Sequence, residues 1–457
     1  MEKSLAPPQN PLGTEKIGKL ILKFAIPSII GMLVSALYNI VDQIFIGQGV
    51  GMLGNAATNV AFPITTICTA IALLLGIGSA ANFNLCLGRG EKETASHVAG
   101  NGLFLLVVCG VAFCAIVLIF LNPLLHAFGA TDKIFSLAQI YVGITGLGIP
   151  FLIFTTGASH LIRADGSPTY SMFCMLTGAI LNTILDPIFI FVLHMGIAGA
   201  AWATLISQIV SCILMLLYMT RFKTMRLTKR YIQPKMEYVK MIVALGAAAS
   251  LNQIAMTVFQ IVMNNTLKIY GAHSQYGSEI PLACVGVITK VIIVLVAISV
   301  GIALGCQPIF GFNYGAKNYA RVQKAFFMAA TALLGISIIA ELFFQLMPRQ
   351  IISIFGNGSE EYFHFAERYF RIFMAMTFIS GLQPLIGNFF SSIGKAKKGM
   401  LVTLTKQFLF LVPLVLIFPL FFGIDGVMYA GPIADTAAIA LAIILVYQEF
   451  KHMSSLA

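Results

Sequence analysis

Residues 98–121 have the sequence VAGNGLFLLVVCGVAFCAIVLIFL, an apolar run that contains no charged side chain. An α-helix needs about 20 apolar residues to cross the hydrocarbon layer of a bilayer. The run is long enough to do so, and it is typical of a transmembrane helix.

Eleven further apolar runs flank this one along the chain. With it, they predict spans at 20–46, 54–80, 98–121, 137–161, 168–193, 197–220, 241–270, 280–309, 320–346, 364–392, 400–422 and 426–449. The composition agrees, because 58% of the residues are hydrophobic and only 10% are charged, whereas soluble domains carry about 25% charged residues. We predict an all-α protein with twelve transmembrane helices embedded in a lipid bilayer.

Several other classes of protein are excluded by pattern. The net charge of +11 does not indicate nucleic-acid binding, because the basic residues form short clusters between apolar runs. The motifs Asp-Asp-x-x-Asp, His-Glu-x-x-His and Gly-x-Ser-x-Gly do not occur, so we expect neither enzymatic activity nor a catalytic residue. The eight cysteines lie mostly inside apolar runs, which favours buried free thiols. We expect no cofactor and no structural metal.

The distribution of basic residues predicts the orientation in the membrane. Of the 28 Lys and Arg residues, 21 fall in the N-terminal segment and in loops on that same side. Only Lys133, Lys268 and Arg349 fall in loops on the other side. By the positive-inside rule both termini are cytoplasmic, the number of spans is even, and the protein lies in the cell membrane.

An internal repeat divides the chain into two halves. Gly196-Ile197-Ala198-Gly199 recurs as Gly423-Ile424-Asp425-Gly426, and both halves begin on the same side, as in a parallel repeat. The predicted parts are a cytoplasmic N-terminal segment 1–19, a first lobe 20–220 with spans one to six, a basic cytoplasmic linker 221–240, a second lobe 241–449 with spans seven to twelve, and a cytoplasmic tail 450–457.

Charged side chains at membrane depth give the strongest functional signal. Each costs at least ~2.5–3.5 kcal/mol on insertion scales, so each needs a compensating role. Asp42 lies late in span one and Asp186 late in span five, which predicts a similar depth in the outer half. Asn182 lies one turn before Asp186 on the same helix face, and span six returns Thr204 to that level. We expect these four side chains to meet in the first lobe.

The chemistry of these groups points to a small cation. Pro187 follows Asp186 and donates no hydrogen bond to the carbonyl of Thr183, which frees that oxygen. Several oxygen ligands suit Na⁺, and a carboxylate beside a second carboxylate can hold a proton. We therefore predict a cation-coupling site for H⁺ or Na⁺ and no other metal. The alternative is a structural hydrogen-bond network around a proline kink.

Other polar residues in the spans give weaker predictions. Lys290, in span eight, is either functional or paired with an acid that the sequence does not reveal. Asp435, in span twelve, has no assigned role. The second half has no acid at the positions that match Asp42 and Asp186, which confines the predicted cation site to the first lobe. The residues expected to face a substrate cavity or gate are Tyr38, Asn39, Gln43, Gln260 and Lys290.

Several stretches together resemble the multidrug and toxic compound extrusion (MATE) family of transporters, over nearly the whole chain. They are Ala25-Ile26-Pro27, Tyr38-Asn39-Ile40-Val41-Asp42-Gln43-Ile44-Phe45-Ile46-Gly47, Leu87-Gly88-Arg89-Gly90, Arg163-Ala164-Asp165-Gly166-Ser167-Pro168, Leu181-Asn182-Thr183-Ile184-Leu185-Asp186-Pro187-Ile188-Phe189-Ile190 and Gly196-Ile197-Ala198-Gly199-Ala200-Ala201. The resemblance implies two pseudo-symmetric six-helix lobes around a V-shaped cavity. It places the family's first-lobe cation site on Asp42, Asn182, Asp186 and Thr204. Some members carry further acids in span seven or ten, which this chain lacks.

The resemblance also implies drug efflux by alternating access, driven by H⁺ or Na⁺. We expect a monomeric antiporter for amphipathic, often cationic, organic compounds, in which the cation bends span one near Pro27 or alters the packing beside Pro187. A lipid-linked oligosaccharide flippase of the same superfamily is the alternative. For that function Lys290, Arg368 and Arg371 would supply a cationic cavity for phosphates.

Overall fold

The computed structural model describes residues 10–128, 130–224, 228–277, 279–353 and 359–456. The described residues are almost entirely helical and contain no β-strand. Ten of their helices are long and apolar enough to cross a bilayer, and two bent helix pairs bring the number to twelve. The predicted all-α fold with twelve spans is confirmed.

The first six spans form the first lobe. Their bounds are Ile17–Gly49 (α1), Met52–Gly88 (α2), Lys92–Ile119 (α3), Asp132–Leu147 with Ile149–Ala164 (α4), Pro168–Pro187 with a π-helical extension Ile188–Val192 (α5), and Gly196–Met219 (α6). Phe83, Leu106 and Ile153 are fully buried in its core. Burial of such side chains, from three different spans, holds the lobe together.

The remaining spans form the second lobe. Their bounds are Met236–Ala272 (α7), Glu279–Gly315 (α8), Tyr319–Leu346 (α9), Glu360–Phe373 with Thr377–Ser380 and Leu382–Ser392 (α10), Ala396–Leu404 with a π-helical turn Thr405–Leu411 and Val412–Phe422 (α11), and Ile424–Leu456 (α12). The π-helical segments of α5 and α11 thus lie in the corresponding spans of the two lobes.

Spans α4 and α10 are broken helices, whereas the sequence predicted continuous spans at 137–161 and 364–392. In each, the two halves meet at 52°. Pro150 lies in the first turn of the second half of α4. A backbone N–H at that position would have no acceptor within the helix, so proline costs no hydrogen bond there. In α10 the Thr377 hydroxyl donates to the Met374 carbonyl at 2.7 Å across the break. Hydropathy misses both bends, because it averages over the whole span.

Span α1 passes from one lobe to the other along its length. Near its start, Phe24 is buried in the second lobe's core with Phe310. Near its end, Ile46 packs against Ile190 in the first lobe. Pro27 lies between these regions and removes one backbone hydrogen bond from the helix. The predicted bending point of α1 therefore lies at the crossing between the lobes.

Span α7 crosses in the opposite direction. Ile242, near its start, is buried in the first lobe's core, whereas Met263 and Leu267 are buried in the second lobe. Both crossing spans begin on the side of the membrane that carries the linker and the Arg89 loop, here called the basic side. On the basic side, the first turns of α1 therefore pack in the second lobe, and the first turns of α7 pack in the first lobe.

The linker is fixed to the first lobe at both ends. The carboxylate of Asp165 accepts hydrogen bonds from the backbone N–H groups of Lys223, at 2.7 Å, and Thr224, at 3.0 Å. Burial raises the pKa of Asp165, and these hydrogen bonds oppose that rise. At the other end, the amide oxygen of Asn101 accepts from the Lys235 N–H at 2.8 Å. These contacts position the start of α7 against the first lobe.

Glycines allow the crossing spans to approach the opposite lobe closely. Gly246 of α7 lies against the α2 backbone at Leu74, where an added Cβ would overlap the carbonyl. Gly305 of α8 lies against α1, where an added Cβ would be 2.5 Å from the Cα of Ala25. Backbone contact of this kind is available only to glycine.

Hydrogen bonds between the lobes lie in the basic half of the molecule as well. Asn82 of α2 donates to the Met241 carbonyl of α7 at 2.8 Å, and Gln307 of α8 donates to the Ile77 carbonyl of α2 at 3.4 Å. Because these contacts join the lobes on one side, the lobes diverge toward the other and form the expected V.

We predict that Gly246→Ala destabilises the contact between the lobes. The added Cβ must displace the Leu74 backbone, and such overpacking costs roughly 1–3 kcal/mol. Gly335→Ala is the matched control, because nothing lies within 4 Å of its added Cβ. Thermal unfolding of the purified protein should show a lower Tm for Gly246→Ala alone. An equal change in both variants would contradict the proposed packing.

Candidate cation-binding site

The side chains of Asp42, Asn182, Asp186 and Thr204 lie together inside the first lobe. They come from α1, α5 and α6, which pack against one another. These residues are 7%, 1%, 0% and 8% exposed, respectively. The structure brings together all four residues that the sequence assigned to a cation site.

Asn182 connects the two sides of this cluster. Its amide nitrogen donates to Oδ1 of Asp186 at 3.3 Å and to Oγ1 of Thr204 at 3.4 Å. The first bond joins side chains one turn apart on α5, and the second joins α5 to α6. Both distances are long for N–H···O bonds, so the cluster is loosely bonded within itself.

Three oxygen atoms of the cluster are buried without a donor among the described residues. They are Oδ1 of Asp42, Oδ1 of Asn182 and Oδ2 of Asp186. More than 90% of buried polar atoms in proteins have a partner, so three orphan acceptors in one cluster are unusual. A bound cation, or protons on the carboxylates, would satisfy them.

The two carboxylates face each other across the contact between α1 and α5. Their side chains lie within interacting distance of one another. In the described part of the chain, neither forms an ion pair with Lys, Arg or His. The cluster thus holds two acids with no cationic side chain to balance them.

Two tyrosines lie near the acids. Tyr38 lies one turn before Asp42 on α1, and Tyr141 comes from the first half of α4. The sequence predicted a functional position for Tyr38 but not for Tyr141, which packs beside Ile46 and Ile190. Tyr141 carried no signal, because an isolated tyrosine in an apolar run is indistinguishable from a core residue.

The helix beyond Asp186 changes its hydrogen-bond pattern. Pro187 ends the α-helical part of α5, and residues Ile188–Val192 form a π-helical turn. π-helical turns are rare in proteins overall, but those that occur are often found at functional sites. This turn therefore favours the region around Asp186 as a functional site. The predicted helix-bending role of Pro187 coincides with this change of pattern.

The other candidate residues of α1 lie outside the cluster. Asn39 is exposed and donates to the Ser35 carbonyl of its own helix at 2.7 Å. Gln43 bonds with the Thr58 hydroxyl at 3.1 Å, which ties α1 to α2. Their predicted role toward a substrate cavity or gate remains a prediction.

The second-lobe candidates are also separate from the cluster. Gln260 donates to Asn264 on the same helix at 3.4 Å. Lys290 is exposed and forms no ion pair within the described ranges. Arg368, one of the cations considered for phosphate binding, is paired with Asp425 at 2.8 Å.

The ligand set of the cluster restricts the cations that fit it. It offers two carboxylates, one amide oxygen and one hydroxyl, and it contains neither sulfur nor imidazole. Among the described residues, no three or more His, Cys, Asp or Glu side chains are grouped so that they could hold a metal ion. Hard, oxygen-seeking cations suit such a site, and soft transition metals do not. Protons fit equally well, because two adjacent carboxylates can share one.

Comparisons with known proteins agree with this picture. The family model MatE matches residues 27–188 and 249–417. Multidrug export protein MepA of Staphylococcus saprophyticus is 25% identical over 436 residues, which cover 94% of this chain and 93% of that protein. MepA of Staphylococcus haemolyticus is 24% identical over 432 residues, with the same coverage.

Solved structures share the fold along almost the whole chain. A multidrug resistance MATE family transporter of the MOP superfamily, in an outward-facing conformation, matches with a TM-score of 0.91 at 24% identity, over 98% of this chain and 99% of that chain. A MOP superfamily transporter from Pyrococcus furiosus, described as having a binding pocket of reversed polarity, matches with a TM-score of 0.89 at 25% identity, over 97% and 98%.

We predict that Asp186→Asn raises the thermal stability of the purified protein in Na⁺-free buffer at high pH. Two ionised carboxylates without a balancing charge repel each other, and removing one charge relieves this by about 1 kcal/mol or more. The gain should shrink at low pH, where protonation neutralises the wild-type pair. The control is Asp425→Asn, which breaks the ion pair with Arg368 and should not raise the Tm. A Tm for Asp186→Asn below that of the wild type at every pH would contradict the proposed repulsion.

Proposed function

The chain belongs to the MatE family of transporters, and on that premise we propose that it is a cation-coupled antiporter that exports amphipathic, often cationic, organic compounds. One observation carries the proposal: Asp42 and Asp186 are buried together, and no cationic side chain of the described residues lies beside them. Two ionised acids in a low-dielectric interior are unfavourable, so the site gains stability when it binds H⁺ or Na⁺.

The position of Asp42 supports coupling to the lobes. Asp42 lies in the half of α1 that packs in the first lobe. Pro27 lies nearer the start of the helix, between Phe24 and Ile29, which both pack in the second lobe. A cation that draws Asp42 toward Asp186 changes how α1 packs on α5. Because the other end of α1 is held by the second lobe, that change alters the relation between the lobes.

Antiport requires that cation and substrate favour different states. A ligand with equal affinity for both states shifts nothing. We propose that the cation enters from the outer side, binds at Asp42 and Asp186, and favours the state that releases the substrate outward. Loss of the cation to the cytoplasm restores the state that binds substrate from within.

The substrate class rests on similarity to the MepA proteins, which are named multidrug export proteins. We propose that this chain likewise exports several amphipathic compounds. It acts as a monomer in the cell membrane, with both termini in the cytoplasm, as the positive-inside pattern favours.

The choice between H⁺ and Na⁺ follows from different uses of the same oxygens. A proton needs one carboxylate whose neighbour disfavours ionisation, and Asp42 beside Asp186 meets that need. Na⁺ needs several oxygens at once, and Asn182 and Thr204 can add two. We propose that the site binds either cation, and that the prevailing gradient decides which one drives transport.

A lipid-linked oligosaccharide flippase is the second candidate. It would need a cavity with free cations for phosphate groups. Arg368 is bound to Asp425, which leaves less free positive charge than the sequence suggested. The unbalanced acids of the first lobe have no part in phosphate binding, so the antiporter is the better-supported function.

We predict that Asp186→Asn lowers gradient-driven efflux by roughly tenfold or more, as expected if the coupling between sites is lost. The assay follows ethidium transport in proteoliposomes with an imposed pH gradient, an imposed Na⁺ gradient, or neither. Asp132→Asn is the control, because Asp132 is an exposed acid at the start of α4.

The wild type and Asp132→Asn should respond to at least one gradient, and Asp186→Asn to neither. Wild-type rates of gradient-driven efflux in Asp186→Asn would refute the assigned role of the acid. Transport of a phosphate-linked lipid without any ethidium transport would favour the flippase.

A further inference from the structure

An ion pair inside the second lobe is not used by the function proposed above. Lys406 of α11 and Asp435 of α12 lie with Nζ and Oδ1 2.7 Å apart. Both residues are many positions from the ends of their spans, so the pair lies at membrane depth. The sequence pattern singled out Asp435 without indicating a role for it, and it gave no signal for Lys406.

The position of Asp435 on its helix shows that it points into the lobe. Met428 and Ala442, two turns before and after it on the same face, are both fully buried. The opposite face carries Ile433 and Ile444, which are 47% and 53% exposed, as expected of side chains in contact with lipid. The carboxylate therefore faces the interior of the second lobe.

Lys406 points to the same interior. It lies in the π-helical turn Thr405–Leu411, one turn after the buried Val402. Leu409, on the lipid-facing side of this turn, is 62% exposed. The neighbouring Gln407 is only 9% exposed, and its Oε1 atom has no donor among the described residues. The π-turn thus presents two polar groups to the interior.

The pair is not fully sealed within the protein. The side chains of Lys406 and Asp435 are 23% and 12% exposed, although both lie on inward faces. The π-turn packs against α7 as well as α12, and α7 carries a polar row at helical spacing: Gln253, Thr257, Gln260 and Asn264. A polar row on an adjacent helix suits the approach of a polar ligand to the pair.

The internal repeat relates this pair to the first-lobe site. Aligning Gly196 with Gly423 sets Ala179 of α5 opposite Lys406, and Gln208 of α6 opposite Asp435. Gln208 lies one turn from Thr204, and Ala179 lies two turns before Asp186. Each lobe thus has one charged side chain on its fifth span, whereas the other lies on the first span in the first lobe and on the sixth in the second lobe. Among the described residues, Asp42 and Asp186 of the first lobe have no cationic side chain beside them, whereas Asp435 of the second lobe is paired with the side chain of Lys406.

We propose that Asp435 recognises the cationic group of the exported compound, and that Lys406 is a tethered counter-ion which occupies Asp435 until that compound arrives. The lysine ammonium is a point charge on a flexible four-carbon stem, so it can withdraw without moving the helix. The cationic group of the compound then replaces the lysine ammonium beside the Asp435 carboxylate, so that carboxylate stays paired with one positive charge.

The exchange explains why the pair is retained at membrane depth. A sealed pair can often be replaced by apolar residues without loss of stability, so helix packing alone does not require it. An exchangeable pair stabilises the carboxylate between transport cycles and excludes neutral compounds from it. The inference rests on the proposed function for the direction of transport, but substrate binding at Asp435 is measurable without any gradient.

The test is equilibrium binding of radiolabelled tetraphenylphosphonium to the purified full-length protein. Asp435→Asn should weaken binding roughly tenfold or more, and Lys406→Met should strengthen it severalfold, because the competing ammonium is gone. Glu449→Gln is the matched control. It removes a buried carboxylate elsewhere in the second lobe, which pairs with Lys398 at 2.6 Å and with Lys395 at 3.8 Å, and should leave the affinity unchanged.

Opposite signs for the two single variants are the decisive result. A structural ion pair predicts that Asp435→Asn and Lys406→Met change the affinity in the same direction or not at all, and either outcome overturns the proposal. If Asp435→Asn does not fold, the double variant Lys406→Met/Asp435→Asn, which leaves no bare charge, must bind weakly. Wild-type affinity in the double variant would also overturn it.

The same preparations separate this proposal from the proposed antiport. Asp186→Asn should bind tetraphenylphosphonium at equilibrium and fail only in gradient-driven efflux. Loss of binding in Asp435→Asn together with normal efflux in Asp186→Asn would support Asp435 as the recognition site and refute Asp186 as part of the coupling site. Normal binding in Asp435→Asn together with loss of efflux in Asp186→Asn would refute the recognition site and leave the coupling site supported.

Discussion

The bilayer's intolerance of unbalanced charge is the constraint on which this structure depends. Nearly all charged side chains lie in loops or at the ends of spans, and the few at membrane depth are confined to particular places. In the first lobe, Asp42 and Asp186 are buried together without a cationic side chain from the described residues. In the second lobe, Asp435 is bound by Lys406. Under the proposed function, a mobile cation completes the first arrangement, whereas the second already contains its own cation.

Because α1 packs in both lobes, it connects the acid pair of the first lobe to the second lobe. The same helix carries Asp42 in one lobe and buries Phe24 in the other, with Pro27 between them. Close contacts at Gly246 and Gly305 hold the lobes together on the basic side, so a change in α1 acts on a packed interface. A tightly packed interface switches between arrangements and does not deform continuously.

The sequence predicted the spans and the two halves, because both depend on local pattern. It also predicted the four residues of the first-lobe cluster, from their depth in the spans and from the resemblance to a known family. Hydropathy gives the spans, and the one-turn spacing of Asn182 and Asp186 gives a shared helix face. The breaks in α4 and α10 were missed, since bending leaves composition unchanged. Tyr141 and Lys406 were missed because their roles depend on neighbours from other helices. The passage of α1 between lobes depends on tertiary packing, which no local signal encodes.

Exchange of a cation for substrate is the central claim, and it is tested most directly by calorimetric binding of tetraphenylphosphonium in two buffers of different ionisation enthalpy, each with and without Na⁺. The account predicts that substrate binding releases protons, seen as a buffer-dependent enthalpy, or that Na⁺ weakens it, and that both effects vanish in Asp42→Asn. A binding enthalpy and affinity that are independent of buffer and of Na⁺ in the wild type would contradict it.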